Sequence, residues 1–305
     1  MALSNAEEAF VLETRRYFSN IAVWPRQPVD VNPSGWLSNF DRPDRELATN
    51  LLDSFLLIST EQSTKMVSSA FHALAALQHD MFELSSNEYQ SAWTDFRSRI
   101  LVTYPARPND PAGSGHIYAR AARSLVAVPD QQLFDPPALI QRLSTTATAA
   151  TVVFVDDFSG TGDQFCDAWA RDHSTASGSV TSFAALSDEG RVAEAIFLPA
   201  IVTASAKAHI ARFCPAVDVR PAHVLPPRYS ASDPDTTLVP ASLRAGLDDL
   251  LVRYADRAGY SEVGRYGYGG CGLAISFEHA TPDNTLPIFN GGPMRPSAWT
   301  PLRSM

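Results

Sequence analysis

The sequence predicts an α/β protein whose central sheet is parallel and twisted, with helices on its faces. Short apolar runs alternate with amphipathic stretches through residues 99–225, which is typical of strand–helix–strand units with right-handed crossovers. The apolar run at residues 152–155 suits a strand buried on both faces of such a sheet. The length of 305 residues allows one large domain or two smaller ones with a substantial core.

Composition restricts the classes of partner. The formal charge of −9 argues against nucleic-acid binding through a broad basic surface, so a small molecule or a protein is expected instead. The 3 cysteines are far apart and lack the spacing of a disulfide framework or a structural zinc site. The N-terminus lacks a signal-peptide pattern, and no apolar run approaches the ~20 residues of a membrane span. We therefore expect a cytoplasmic protein without a membrane partner.

The first region of the chain, residues 1–98, is predicted to be mostly helical. Apolar residues recur there at helical spacing in several stretches. These are residues 6–19, 45–59, 63–79 and 87–97. We expect this helical layer to cover the sheet or to form an oligomer interface, so a homo-oligomer is one of the alternatives.

The predicted sheet begins with a strand at residues 100–104, which a loop at 105–115 joins to a helix at 116–125. The loop ends in the turn Gly113-Ser114-Gly115. A Gly-Ser-Gly turn is common at the entry to a helix, and a ligand contact is the alternative.

The stretch at residues 151–170 carries the strongest prediction of a site. Its strand ends in Asp156 and Asp157, at the edge of the sheet where open α/β proteins bind ligands. The next turn, Ser159-Gly160-Thr161-Gly162, leads into a helix, and its amides together with the helix dipole suit a phosphate. Two carboxylates beside such a loop indicate a sugar phosphate. The alternative is an ordinary turn with a helix cap, whereas a Walker loop is not expected because Gly-Lys-Ser/Thr is missing.

The rest of the sheet and the C-terminal region follow in order. Strands are predicted at residues 179–185, 196–203 and 217–224, with a helix at 204–213. Beyond residue 226 we expect a helix at 243–258, a glycine-rich stretch at 259–272 and a strand at 273–277.

The sequence V-D-D-F-S-G-T-G at residues 155–162 resembles the phosphoribosyl-pyrophosphate (PRPP) motif of type I phosphoribosyltransferases. The resemblance implies that family's fold, PRPP or a nucleotide as ligand, and Mg²⁺ bound through the substrate rather than by a metal site of the protein. It implies that Asp156 and Asp157 are the catalytic pair and contact the ribose hydroxyls. It implies Ser159, Gly160, Thr161, Gly162 and Asp163 for the 5′-phosphate, and Ser114 and Gly115, with Arg107 and Arg120 nearby, for pyrophosphate.

The chain departs from the family pattern in both loops. After Thr-Gly the family usually has a small residue and then a hydroxyl residue, whereas this chain has Asp163 and Gln164. A carboxylate is therefore expected near the phosphate, and one hydroxyl donor is missing. The first loop also lacks the usual basic residue beside glycine at 113–115. These departures motivate an alternative in which the fold is kept without transferase activity.

The segment E-H-A-T-P-D-N-T-L-P-I-F at 278–289, with W-T-P-L at 299–302, resembles a subgroup of phosphoribosyltransferase-like proteins, PRTase-CE-like, from bacterial conflict and anti-phage gene neighbourhoods. This resemblance implies a toxin or effector in antiviral defence, with a protein partner from the same operon. It also implies a C-terminal hood over the acceptor. Candidates for the acceptor pocket are His279 as acid or base, Thr281, Asn284 and Thr285 as polar edges, and Phe289 or Trp299 as a stacking ring. The alternatives are turn residues and a structural histidine.

We therefore predict a helical region at residues 1–98, a phosphoribosyltransferase-like core at 99–225, and a hood completing the site at 226–305. The predicted function is that of a phosphoribosyltransferase-like enzyme or effector, a pentosyltransferase that binds PRPP or a nucleotide. Two alternatives stay open: an inactive nucleotide-sensing or assembly module, and a nucleotide N-glycosidase in which water attacks C1′.

Overall fold

The computed structural model describes residues 5–24, 31–78, 84–108 and 113–303. The chain forms two compact units. The first combines Met1–Thr60 with Pro226–Met305, and the second is Glu61–Leu225. These units are defined by packing, and their boundaries differ from those of the three regions predicted from the sequence, which stay a prediction.

The secondary-structure elements are numbered in chain order. The α-helices are α1 Asn5–Asn20, α2 Pro33–Leu37, α3 Arg45–Asp53, α4 Thr60–Gln78, α5 Ser86–Arg99, α6 Gly115–Val126, α7 Pro136–Thr145, α8 Asp163–Ala170, α9 Phe183–Asp188, α10 Ala204–Phe213, α11 Leu247–Arg253 and α12 Ala255–Ala258. The strands are β1 Leu56–Ile58, β2 Ile100–Thr103, β3 Ala150–Ser159, β4 His173–Ser174, β5 Val180–Thr181, β6 Val192–Thr203, β7 Val217–Val219, β8 His223–Leu225 and β9 Ile275–Phe277. Short 3₁₀ turns lie at Arg42–Asp44, Asp130–Gln132, Pro227–Tyr229, Arg244–Gly246 and Tyr268–Gly270.

The second unit is built on a parallel sheet in which β3 lies between β2 and β6. The far edge of β6 pairs with β7 and then with β8. Residues 220–222 separate these two short strands, and the N–H groups of Arg220 and Ala222 on either side of Pro221 still donate to β6 carbonyls. Helices connect β2 to β3, β3 to β6 and β6 to β7. The predicted α/β class, a parallel sheet with flanking helices, is therefore confirmed.

One face of this sheet carries an aromatic cluster that fixes the position of α8. Phe165 of α8 stacks on Phe197 of β6, with ring centroids 4.2 Å apart, and meets Phe154 of β3 edge-on at 5.4 Å. Trp169, one turn further along α8, also packs edge-on against Phe154 at 5.9 Å. The apolar face of α8 is thus fixed to the strand that precedes it, which holds the connecting loop in place.

The first unit has its own small sheet and core. β1 pairs in parallel with β9, and the register aligns Leu56 with Ile275. In the core, Trp36 stacks on Phe289 at 5.2 Å, and its indole N–H donates to the carbonyl of Ile288 at 2.8 Å. The C-terminal segment is therefore an integral part of the core of this unit.

Two predicted elements are wrong. The helix predicted at residues 45–59 ends at Asp53, and its last part is β1, whose partner β9 lies far away in the sequence. The strand predicted at 179–185 is limited to Val180–Thr181, and α9 begins at Phe183 because the Ser182 side chain accepts a hydrogen bond from the Ala185 N–H. In the described part of the chain, no helix is long and apolar enough to cross a membrane.

Candidate functional site

The acidic pair lies within β3 rather than after it, because the strand continues to Ser159. β2 pairs with β3 only as far as Thr103, opposite Phe154. On the other side, β6 continues to pair with β3, and Asp156 lies opposite Pro199. The pairing with β2 therefore stops before β3 reaches its two carboxylates.

Ser114, at the start of α6, lies beside both carboxylates. Its hydroxyl lies 3.1 Å from Oδ1 of Asp157 and 3.3 Å from Oδ1 of Asp156. A hydroxyl has one proton to donate, so it serves one oxygen at a time or shares the proton between them. The structure thus brings a residue of the first predicted loop together with the acidic pair.

Asp156 is the carboxylate of the pair whose ionisation is most strongly affected by its surroundings. Asp156 is buried, with 4% of its surface exposed. Burial, and secondly the charge of Asp157, raise the pKa of Asp156 well above its usual range. The Asp157 N–H donates to Oδ1 of Asp156 at 3.0 Å, and the Ser114 hydroxyl also favours the charged form. Ionising Asp156 is therefore costly unless a bound group supplies donors or positive charge.

Tyr118 of α6 is fully buried and lies close enough to Asp157 to be affected by its charge. Its hydroxyl donates to the Ser63 hydroxyl at 2.9 Å. Burial raises the pKa of the Tyr118 phenol, and the neighbouring charge of Asp157 raises it further. Tyr118 therefore remains a neutral hydrogen-bonding group near the acidic pair.

The loop after β3 depends on Gly162, whose φ of +89° lies in the left-handed region. A Cβ on this residue would lie 3.0 Å from the carbonyl oxygen of Ala206 and 3.0 Å from Cγ1 of Ile210. Both the backbone conformation and the close approach to α10 therefore require glycine. Gly162 is also the N-cap residue of α8, which begins at Asp163.

Thr203 links the loop after β3 to the start of α10. Its hydroxyl donates to the carbonyl of Gly160 at 2.6 Å and accepts from the Ala206 N–H at 3.0 Å. It therefore caps α10 and fixes the loop after β3 at the same time. Thr161 acts more locally, because its hydroxyl accepts from the Asp163 N–H at 3.3 Å.

The two residues that depart from the family pattern both contact neighbouring elements. The carboxylate of Asp163 lies 3.3 Å from Nε2 of His209 on α10. Gln164 accepts from Nε of Arg107 at 3.0 Å and donates to the carbonyl of Pro105 at 3.4 Å. Arg107 thus lies at the first turn of α8, while part of its own loop, residues 109–112, lies outside the described residues.

Gly115, the other residue predicted in the first loop, faces the ring of Tyr104. A Cβ there would lie 2.5 Å from Cδ2 of Tyr104, so the close packing requires glycine. The Tyr104 hydroxyl lies 3.2 Å from Nε2 of His116. Arg120 is exposed further along α6.

The residues predicted for the acceptor pocket lie in the first unit. Asn284 donates to the carbonyl of Tyr268 at 3.1 Å, and the Thr285 hydroxyl donates to the carbonyl of Ile275 at 2.6 Å. The hydroxyl of Thr281 accepts from the side-chain amide of Asn290 at 3.1 Å. These bonds hold their own segment, and an acceptor role for the three residues stays a prediction.

The rings near these residues differ in accessibility. Phe289 is fully buried against Trp36 and Trp299 is 4% exposed, so a stacking role for either on an acceptor is wrong. Both belong to the aromatic core instead. His279 is half-buried beside the ring of Phe277, at 5.7 Å between centroids, and its acid–base role stays a prediction.

Sequence reasoning missed Thr203, His209 and Tyr118. Thr203 was detectable, because a threonine between an apolar strand and a helix is a typical N-cap. His209 and Tyr118 are brought to the acidic pair and its loop by α10 and α6, which follow other strands. No local sequence pattern identifies such residues.

The parallel sheet, the paired carboxylates on β3 and the glycine loop leading into α8 define a phosphoribosyltransferase-like protein. A family model described as PRTase-CE matches residues 33–304. The chain therefore belongs to the PRTase-CE family, and the resemblance predicted from its motifs is confirmed. No curated protein and no solved structure matches the chain.

Proposed function

We propose that the chain binds PRPP, or a nucleotide with a 5′-phosphate, at the carboxyl end of β3. The observation that carries this proposal is the hydroxyl of Ser114 within 3.3 Å of Asp156 and 3.1 Å of Asp157, beside a glycine loop at the start of a helix. Amides of the loop would bind the phosphate, and the two carboxylates would accept hydrogen bonds from the ribose hydroxyls.

The proposed reaction is transfer of the ribosyl group from PRPP to an acceptor. The bond between C1′ and the pyrophosphate oxygen breaks, pyrophosphate leaves with the electron pair, and the acceptor forms the new bond to C1′. Positive charge develops on the sugar in the transition state. The negative Asp156–Asp157 pair would stabilise that charge and orient the ring, so positioning and electrostatics carry the catalysis.

Mg²⁺ fits this site as part of the substrate complex. It prefers oxygen ligands and usually keeps several waters. Within the described residues, no group of three or more His, Cys, Asp or Glu could hold a metal ion. The carboxylate pair and the Ser114 hydroxyl offer oxygen atoms that would support a cation held mainly by pyrophosphate, where it would neutralise the leaving group's charge.

Replacement of the acidic residues tests the proposal. PRPP binding in the presence of Mg²⁺ should be measured by calorimetry for the wild type, Asp156→Asn and Asp157→Asn, with the exposed Asp188→Asn as the control. We expect both site variants to lose binding and the control to retain it. Unchanged affinity in the site variants would refute the ribose assignment.

A second candidate is a nucleotide-sensing or assembly module without transferase activity. It is favoured by the carboxylate of Asp163 in the phosphate loop, whose negative charge opposes binding of a highly charged anion. Incubation with PRPP, Mg²⁺ and a panel of nucleobases separates the two candidates. Sustained pyrophosphate release supports the transferase, whereas release of free base from a nucleotide without PRPP supports a nucleotide N-glycosidase.

The proposed setting is antiviral defence in the cytoplasm, with the chain as a toxin or effector that acts with a protein from the same operon. The resemblance of the C-terminal segment to proteins of anti-phage gene neighbourhoods supports this setting. Plaque assays with the operon carrying either the wild type or Asp157→Asn test it. Protection that depends on Asp157 supports an effector role, and equal protection by the variant counts against it.

A further inference from the structure

We propose that His209 is a positioning residue of the phosphate loop, which holds the Asp163 carboxylate away from the bound phosphate. The proposal rests on the proposed PRPP or nucleotide site and assigns a role to a residue outside the recognised motif. The imidazole Nε2 of His209 lies 3.3 Å from Oδ1 of Asp163. His209 belongs to α10, which follows β6 rather than the strand of the motif.

The need for such a residue follows from the position of Asp163. It is the first residue of α8, where the helix dipole attracts either a carboxylate or a bound anion. Its amide already points to the Thr161 hydroxyl within the loop, at 3.3 Å. A carboxylate swung over the loop amides would occupy the place of a phosphate and repel it.

The neighbouring packing fixes the imidazole at this place. Cδ2 of His209 is 3.3 Å from the position of a Cβ on Gly162, so the ring lies directly against the loop. On its other side the ring packs against Phe213 with centroids 4.6 Å apart. The side chain is one-third exposed, at 33%, which leaves the pair partly accessible to solvent and to a ligand.

The hydrogen bond from His209 holds the Asp163 carboxylate in either charge state of the imidazole, because a neutral ring with its proton on Nε2 also donates. A protonated ring would in addition cancel the charge of Asp163. In both cases the carboxylate is drawn toward α10 and away from the amides at the start of α8. The aspartate in place of the usual small residue is thereby compatible with an anionic ligand.

A double-mutant cycle with PRPP and Mg²⁺ tests the inference by calorimetry. We expect His209→Ala to weaken PRPP binding about tenfold, the size expected for like charges a few Å apart in partly screened surroundings. In the Asp163→Asn background the same replacement should change affinity less than about twofold, because no charge remains to be held away. His209→Gln, which keeps an N–H donor, should restore most of the affinity. Lys207→Ala, exposed on the same helix, is the matched control and should have no effect.

The outcomes separate this inference from the proposed site. Suppose that the wild type binds PRPP but His209→Ala lowers the affinity equally with and without the Asp163 carboxylate. His209 then does not act through Asp163, and the inference is overturned while the proposed site stands. An unchanged affinity in His209→Ala overturns it equally. If the wild type binds neither PRPP nor a nucleotide with a 5′-phosphate, the proposed function fails and takes the inference with it.

Discussion

The hydroxyl of Ser114 lies 3.1 Å from a carboxylate oxygen of Asp157, so the entry of α6 and the acidic end of β3 form one hydrogen-bonded group. Ser114 belongs to the connection that follows β2, Asp157 belongs to β3, and these two strands are neighbours in the parallel sheet. In such sheets the ends of neighbouring strands create the ligand crevice. The state of the acidic pair therefore depends on the first loop as well as on its own strand.

Ser114→Ala should shift the pH dependence of PRPP binding. The Ser114 hydroxyl favours the charged form of Asp156, so its loss raises the pKa of Asp156 further. If the ionised pair binds the ribose, the affinity midpoint moves to higher pH, and affinity below it falls about tenfold. Calorimetry across a pH series measures this. Ser124→Ala, on the same helix, is the control, and a profile identical to the wild type in Ser114→Ala would contradict the prediction.

Asp156→Asn should stabilise the ligand-free protein at neutral pH. The folded-state pKa of Asp156 lies above the unfolded value of about 3.9, so the folded state binds more protons between these two values. Its contribution to stability is therefore fully present at acid pH and is lost as pH rises through the folded pKa. We expect the variant to gain about 1–3 kcal/mol at pH 8 and almost nothing near pH 4. Urea unfolding at both pH values measures the difference, and a gain that does not depend on pH would argue against a buried ionisable carboxyl as its cause.

Gly162→Ala should destabilise the second unit more than Gly178→Ala. Both glycines have left-handed backbones, with φ of +89° and +82°. Only Gly162 has neighbours within 4 Å of the added Cβ, so the two replacements share the backbone cost and differ in the clash with α10. We expect a loss of about 1 kcal/mol at Gly178 and about 2–4 kcal/mol at Gly162. Thermal unfolding compares them, and equal losses would show that contact with α10 is unimportant.

Thr203→Ala should loosen the phosphate loop and the start of α10 together. The replacement removes the cap on the Ala206 N–H and the hydrogen bond to the carbonyl of Gly160. We expect a loss of about 1–3 kcal/mol in the free energy of unfolding, and faster hydrogen exchange at the amides of the loop. Thr203→Ser keeps the hydroxyl and should remain within about 0.5 kcal/mol of the wild type. Similar behaviour of the two variants would assign the effect to the lost methyl group instead.

The central part of the fold was predictable because local signals and packing agree there. Helix α10 has the bounds predicted for it, 204–213, since an amphipathic helix follows an apolar strand there. The strand of β1 was not predictable in the same way. Its backbone hydrogen bonds go to β9, more than two hundred residues away, and a leucine-rich continuation of a helix has the same composition.

The same distinction between local and long-range contacts applies to the site. The acidic pair and the glycine loop are contiguous in sequence, so their chemistry was visible as a motif. The proximity of Ser114 to the pair was expected only through the family resemblance. Contacts such as those of Asp163 with His209 and of Gln164 with Arg107 join different crossovers, and only the packed structure relates them.

The first unit is discontinuous in sequence, with β1 from its early segment paired to β9 from its late one. During synthesis the ribosome completes Glu61–Leu225 before the late segment emerges. At the usual pace of about 5–20 residues per second, the early segment waits roughly 8–33 s for its partner. The apolar surface of the early segment therefore remains uncovered throughout this interval. We expect chaperones to bind this segment until the late segment has been synthesised.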